Sequence, residues 1–353
     1  MKRFLCSILI FILLTGLLLG CTKISIDTSE ESQETLNNEN ENNTDKELHD
    51  LVAKNLSNEP DELGRTIPDI SLQEFKSSDT GIGAAASIWV RESDIVVSDQ
   101  NNHKLIVIDW NGNVLKEIGK LGMGPLEFTK PGDMFWHEKE KILYVLDIGN
   151  NRIQKLSYDL SYLDEISLKD LEIHAYEPFQ SIAVDSSNNI YISLHTSAPN
   201  QLKIYCISPD GTISQSEELF GGILSEKDGE IYAVETMVHT LYEDKERDIN
   251  FTAGQTYLYK MKGTDMIEVS AFPYKYTPSD VLWIEDKVYI VSSLWNLVES
   301  FKIQDKELVY LETISPQIQL HKNQGAYNFT LAYFRNTIFV ADSASGNIYI
   351  LNL

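Results

Sequence analysis

Four carboxylates close four copies of one short pattern. Asp99 ends IVVSD (Ile95–Asp99), Asp147 ends LYVLD (Leu143–Asp147), Glu235 ends IYAVE (Ile231–Glu235) and Asp342 ends IFVAD (Ile338–Asp342). Carboxylate oxygens suit hard cations such as calcium, so four in register could converge on one metal and serve a metal-dependent hydrolase, lactonase or lyase. The recurrence also has a structural explanation, in which each acid accepts hydrogen bonds from backbone N–H groups of its own following turn. A metal centre needs one particular ligand set, whereas this pattern supplies an acid repeat by repeat, which favours the structural role. Two more copies, IYISL (Ile190–Leu194) and VYIVS (Val288–Ser292), end without a carboxylate.

Other reactive residue types are dispersed. The seven histidines (His49, His103, His137, His174, His195, His239 and His321) form no HExxH or other compact ligand pair. No G-x-S-x-G nucleophile elbow occurs. Gly122-Met123-Gly124-Pro125 lacks the following helix and the lysine of a phosphate loop, and Pro125 removes an N–H donor. It reads as a turn between repeats, with Phe128 packed between neighbouring sheets.

The clearest chemical signal lies near the N-terminus. Lys2 and Arg3 precede an uncharged apolar run, Phe4 to Leu19. Basic, apolar and small-residue regions in that order make a signal peptide over residues 1–20. Leu18-Leu19-Gly20-Cys21 resembles the lipobox of bacterial lipoproteins. The resemblance implies that Cys21 takes a diacylglyceryl group, and two acyl chains (palmitate, for example) suffice for stable anchoring. The expected location is the bacterial cell envelope, outside the cytoplasm and tethered to a membrane. Of the other cysteines, Cys6 leaves with the signal and Cys206, in the alternating KIYCIS, is expected buried.

The formal net charge is −24. Such acidity disfavours nucleic acid as a partner and repels anionic headgroups, leaving attachment to lipid. Residues 21–64 are polar and hold twelve carboxylates against three lysines. That composition marks an acidic flexible linker. Within it, Thr44 and Glu47 have capping-box spacing, and Leu48, Leu51, Val52 and Leu56 share a helical face, so residues 44–58 could instead form a short docked helix.

The rest of the chain, 65–353, must position these groups. The last residues of the six copies lie 48, 47, 41, 57 and 50 positions apart. Such a period, with several short strands in each, is the signature of a β-propeller blade. The expected fold is all-β, a six-bladed propeller of four-stranded antiparallel blades with the copied motif as second strand. Asn111-Gly112 reads as a two-residue hairpin whose central residues both take positive φ. The sixth unit stops after NIYILNL without a fourth strand, and IPDISLQEF (Ile67–Phe75) upstream is unused. An N-terminal strand is therefore expected to complete the last blade and close the ring.

Two segments carry a family resemblance. Asp147-Ile148-Gly149-Asn150-Asn151-Arg152-Ile153 resembles the D-x-x-N-x-R-I core of NHL repeats. GKLGMGPLEFTKPGDM (Gly119–Met134) resembles the G-x-G-P-x-E-F-x-x-P linker of bacterial six-bladed propeller lipoproteins related to NHL proteins. The resemblance implies a six-bladed propeller, a fold that hosts many activities.

In this topology the second-to-third strand connections and the blade-to-blade links open on one face. Long connections run from Thr236 to about Gln255, Lys169 to Phe179 and Ser315 to Asn328. Functional residues favour such loops on rigid scaffolds. The candidate ligand-binding residues are His174, Tyr176, Trp295, His321 and Tyr327. Trp89, Trp136 and Trp283, in strands, are expected to pack between blades. The expected protein is a monomeric, non-catalytic binding module for a small molecule, glycan or protein. It needs no cofactor, with calcium only under the metal-dependent alternative.

Overall fold

The structure is a computed structural model describing residues 63–171, 179–194, 202–236, 242–244, 249–251, 256–273, 276, 278–292, 296–318 and 329–353. Within the compact unit Asp61–Leu353, the strands form six antiparallel blades in chain order. Blade 1 is Ala85–Val90, Ile95–Asp99, Lys104–Ile108 and Val114–Ile118. Blade 2 is Pro131–His137, Ile142–Asp147, Arg152–Leu156 and Tyr162–Ser167. Blade 3 is Phe179–Val184, Ile190–Leu194, Ile204–Ile207 and Ile213–Gln215. Blade 4 is Gly222–Lys227, Glu230–Glu235, Tyr257–Lys262 and Asp265–Ala271, with a small hairpin, Tyr242–Asp244 and Ile249–Phe251, inside its second-to-third connection. Blade 5 is Pro278–Ile284, Lys287–Ser292, Leu297–Gln304 and Glu307–Thr313. Blade 6 is Phe329–Phe334, Thr337–Asp342 and Ile348–Asn352, completed on its outer edge by Gln73–Phe75.

That last pairing closes the ring. Gln73, Glu74 and Phe75 face Ile350, Tyr349 and Ile348 in antiparallel register. Only three residues of the expected Ile67–Phe75 segment are strand, because Ile67 and Ile70 point into solvent. A single parallel bridge, Ala271 to Glu307, joins the outer strands of blades 4 and 5, so those two blades form one eight-stranded sheet.

Burial explains why one motif stood out. Each second strand is covered on both faces by neighbouring blades, and IVVSD and IYISL are buried at every position. Strands buried on both faces read as continuous apolar runs. The fourth strands are outermost and largely exposed, as in VLKEI and ISQ. Six separate apolar clusters fill the six seams between blades. Phe128 lies fully buried in the blade 1/2 seam with Val96, Leu105, Met134 and Leu143, worth about 1.5–3 kcal/mol. Cys206 is buried in the 3/4 seam.

The Asn111-Gly112 turn differs from expectation. Gly112 alone takes positive φ (83°), and the loop is held by Asp109, whose carboxylate accepts from the Asn111 and Asn113 N–H groups. Three residues, Trp110 to Gly112, bridge Asp109 and Asn113, and the register shifts between Val107 and Ile108. This is the three-residue hairpin with a bulge, selected because an Asp at the turn's first corner supplies acceptors for its N–H groups. Blade 3 has a turn of the same length with Ser208 at the first corner, Gly211 at positive φ, and Asp210 accepting from Thr212 N. No described helix is long and apolar enough to cross a membrane.

Candidate functional site: strand-end acids, channel ring and loop face

Each described second-strand aspartate is engaged within its own repeat. Asp99 accepts from the N–H groups of Gly83 (2.9 Å), Ala84 (3.1 Å) and Asn102 (3.2 Å), and from Asn102 Nδ2 (2.6 Å). Asp342 accepts from Ala344 N (2.9 Å) and Ser345 Oγ (2.7 Å). Asp147 accepts from Thr129 N, Asn150 Nδ2, Arg152 Nε and Gln154 Nε2 at 2.7–3.2 Å. The following turn supplies donors, as expected from sequence. For Asp99 and Asp147 the link entering the blade supplies them too, so the acid ties the inner strand's approach to the second-to-third turn. Glu235 is half-buried at the matching position of blade 4. Among the described residues no three His, Cys, Asp or Glu side chains gather in a metal-holding group. The donor sets around Asp99, Asp147 and Asp342 are those of turn clips and do not fit a shared calcium centre.

The NHL-like motif is also a clip. Arg152 is buried; besides Asp147 it donates to Glu165 Oε2 (2.7 Å) and to the carbonyls of Met123, Gly124 and Glu127 (2.7–2.9 Å). Gln154 adds a second bond to the Glu127 carbonyl and accepts from Leu126 N. The fixed fork of a guanidinium can hold several carbonyls at once, which explains why the G-x-G-P-x-E-F linker accompanies the arginine. A Cβ at Gly122 would lie 2.2 Å from Glu127 Oε2 and push that carboxylate away from the Gly124 N–H it accepts.

The inner strands carry a ring that residue spacing did not single out. Aligned by their pairing with the second strands, Ser87, Asp133, Ser181, Ile223, Asp280 and Thr330 occupy one position in the six blades. In blades 1, 2, 3 and 5 a bulge falls at this point. Most members fasten their blade to the next. Ser87 Oγ accepts from Met134 N (3.1 Å), Asp133 from Ile182 N (3.0 Å), Ser181 Oγ from Leu224 N (3.1 Å), and Asp280 from Leu331 N (2.6 Å). Ser87 and Ser181 both donate to Asp133, and Thr330 donates to Asp280.

Asp133 and Asp280 belong to blades 2 and 5, opposite one another in a ring of six. Burial, the largest influence, pushes both carboxyls upward. Asp280 rises to about 7, with the negative charge of Asp133 adding to the effect. No described cation forms an ion pair with either. Ser87, Ser181 and Asp280 each open a short apolar stretch (SIWV, SIAVD and DVLWI), and the recurrence of Ser or Asp at that point is the sequence signal that could have exposed the ring.

Trp89, Trp136 and Trp283 lie between blades, as expected. Trp89 and Trp136 stack at 4.5 Å, Tyr158 meets both edge-on, and Arg91 sits 5.2 Å over Trp89. Trp283 packs on Tyr232 and donates to Ser225 Oγ. These groups sit at the end opposite the loop face. His174, Tyr176, Trp295, His321 and Tyr327 fall outside the described residues, as do Cys21, the signal peptide and the acidic linker.

A family model described as a six-bladed β-propeller, DUF5128, matches residues 65–293, well over half of the chain. The chain belongs to this family. No curated protein matches it significantly. Among solved structures, the DUF5128 chain is similar to a catalytically inactive variant of virginiamycin B lyase from Staphylococcus aureus with quinupristin (12% identity, TM-score 0.52, covering 80% of this chain and 99% of that one). It is similar to a candidate exported protein of Bacteroides fragilis (11%, 0.51, 81% and 97%), and to U3-55K (11%, 0.53, 82% and 100%). At these identities the likeness extends to the propeller fold alone.

Proposed function

We propose that this protein is a lipid-anchored, extracytoplasmic propeller that binds a small-molecule, glycan or protein ligand through its loop face, without catalysing a reaction. The observation that carries it is the inequality of the two ends. On one end the hairpins are short and regular, as at 91–94, 228–229, 285–286, 305–306 and 335–336. On the other lie every long connection, 119–130, 168–178, 195–203, 236–256 and 314–328 among them. A rigid scaffold with its long connections confined to one rim is suited to recognition there. The family match supports the propeller and the Cys21 motif supports export and a tether; Asp99, Asp147 and Asp342 are engaged in turn clips.

The test replaces residues 237–255 with a short turn and compares capture of ligands from detergent-solubilised envelope. Loss of capture with an unchanged melting temperature supports the proposal; unchanged capture by this and by a matching 319–328 replacement overturns it. Calcium or zinc titration during thermal unfolding supplies the second arm. Saturable stabilisation following RT ln(1 + [L]/Kd) would restore the metal-dependent alternative.

A further inference from the structure

Blades 4 and 5 meet without the axial fasteners described at neighbouring seams, and we propose that Leu63 and Arg65 form a latch that holds this seam shut. At the ring position Ser87, Asp133, Ser181 and Asp280 each accept an N–H from the following blade, whereas blade 4 has Ile223, which can accept none. A second fastener comes from the second strands: Ser98 Oγ donates to the Gly132 carbonyl (2.7 Å) and Ser193 Oγ to the Gly222 carbonyl (2.5 Å). Blade 4 has Val234 there, paired with Ile223. At the ring position the 4/5 seam is therefore apolar, closed by Val234, Leu258, Phe272, Tyr276 and Val281, with Leu63 packed against them; its inner strands are joined toward the short-hairpin end by the bond from Trp283 Nε1 to Ser225 Oγ (3.2 Å).

A second polar fastening lies farther out and uses the N-terminal segment. Glu299, on the third strand of blade 5, is fully buried. It accepts from Arg65 Nε (2.6 Å), Tyr276 OH (2.6 Å) and Thr313 Oγ1 (3.0 Å). Tyr276 belongs to the link joining blades 4 and 5, and its backbone carbonyl takes a hydrogen bond from Thr256 of blade 4 (3.2 Å).

Blade 2 shows what has been replaced. Glu299 pairs with Ile290 as Gln154 pairs with Val145, so the two hold equivalent positions. In blade 2 the guanidinium comes from Arg152 on the same strand; in blade 5 that place is Leu297, and the guanidinium comes from a residue 234 positions away. A buried carboxylate is destabilised sharply when its counter-charge leaves. Displacing the segment at Arg65 would therefore leave the buried Glu299 charge without its cation and loosen Tyr276, at a seam whose ring residue, Ile223, has no side-chain acceptor. The following strand, Gln73–Phe75, performs a separate task in blade 6.

Hydrogen exchange on the full-length protein tests the latch. Arg65→Met is expected to accelerate exchange at least tenfold in Glu230–Glu235 and Lys287–Ser292, while Ile95–Asp99 and Ile142–Asp147 keep their wild-type rates. Lys104→Met, which removes an exposed pair with Glu117, should change none of them. Should Arg65→Met fail to fold, Arg65→Lys carries the comparison, with a smaller acceleration confined to the same segments. Acceleration spread evenly over all blades, or none in either variant, overturns the proposal.

Discussion

Asp280→Asn should abolish the pH dependence of stability contributed by this carboxyl at the blade 5/6 seam. The carboxyl stands at about 7 in the folded protein against an ordinary value of 3.8, chiefly through burial. The folded chain therefore keeps a proton that the unfolded chain releases, and stability falls as pH rises from about 4 to about 7. A shift of roughly three units corresponds to about 4 kcal/mol over that window. Asparagine carries no such charge. It sacrifices one acceptor, however, since its single amide oxygen replaces the two carboxylate oxygens that receive the Val281 and the Leu331 N–H groups, at a cost of about 1 kcal/mol. The two stability curves should then cross: the variant slightly weaker near pH 4 and stronger by about 3 kcal/mol above pH 7. Urea unfolding of both proteins across that range measures the difference directly. Asp133 adds slope of the same sign, and the exposed carboxyls of Asp109, Asp159 and Asp210, held low by their turn hydrogen bonds, add the opposite sign. All titrate in both proteins and cancel in the difference. Parallel curves at every pH would refute the reasoning.

Three further outcomes are expected. Arg152→Met leaves Asp147 buried without its cation and frees the Glu127 carbonyl from one of its clips; chemical unfolding should show a loss of about 3–5 kcal/mol, against at most about 1 kcal/mol for the exposed Lys104–Glu117 pair. Deleting residues 66–76 strips the outer strand from blade 6 and uncovers the Ile348–Asn352 edge, so the cooperative melting transition should disappear. Cys21→Ala should move the protein from the membrane fraction to the soluble one, read by fractionation with lipid labelling.

Much of the architecture was legible because strands sandwiched between blades must be apolar at every position, which makes IVVSD and its relatives repeat visibly. The ring-closing strand could be inferred by counting, since the sixth unit ended one strand short. Asp99, Asp147 and Asp342 were legible as turn acceptors because their donors are mostly local. Asp133 and Asp280 were not, because their partners lie 48–51 positions away on the next blade and a bulge hides their common register. The first strand of blade 4, GILSEK, escaped notice for a related reason: its outer half is polar and only half-buried. Arg65 and Glu299 meet through closure of the ring alone, which no local pattern encodes.

The claim that matters most is that recognition occurs on the loop rim. A photo-cross-linking amino acid placed at Met123 on that rim, or at Asn111 or Asp286 on the opposite one, tests it in cells producing the full-length protein. All three positions are exposed. A discrete cross-linked adduct from position 123, absent at 111 and 286, is the result expected. Adducts from the short-hairpin end alone would contradict it.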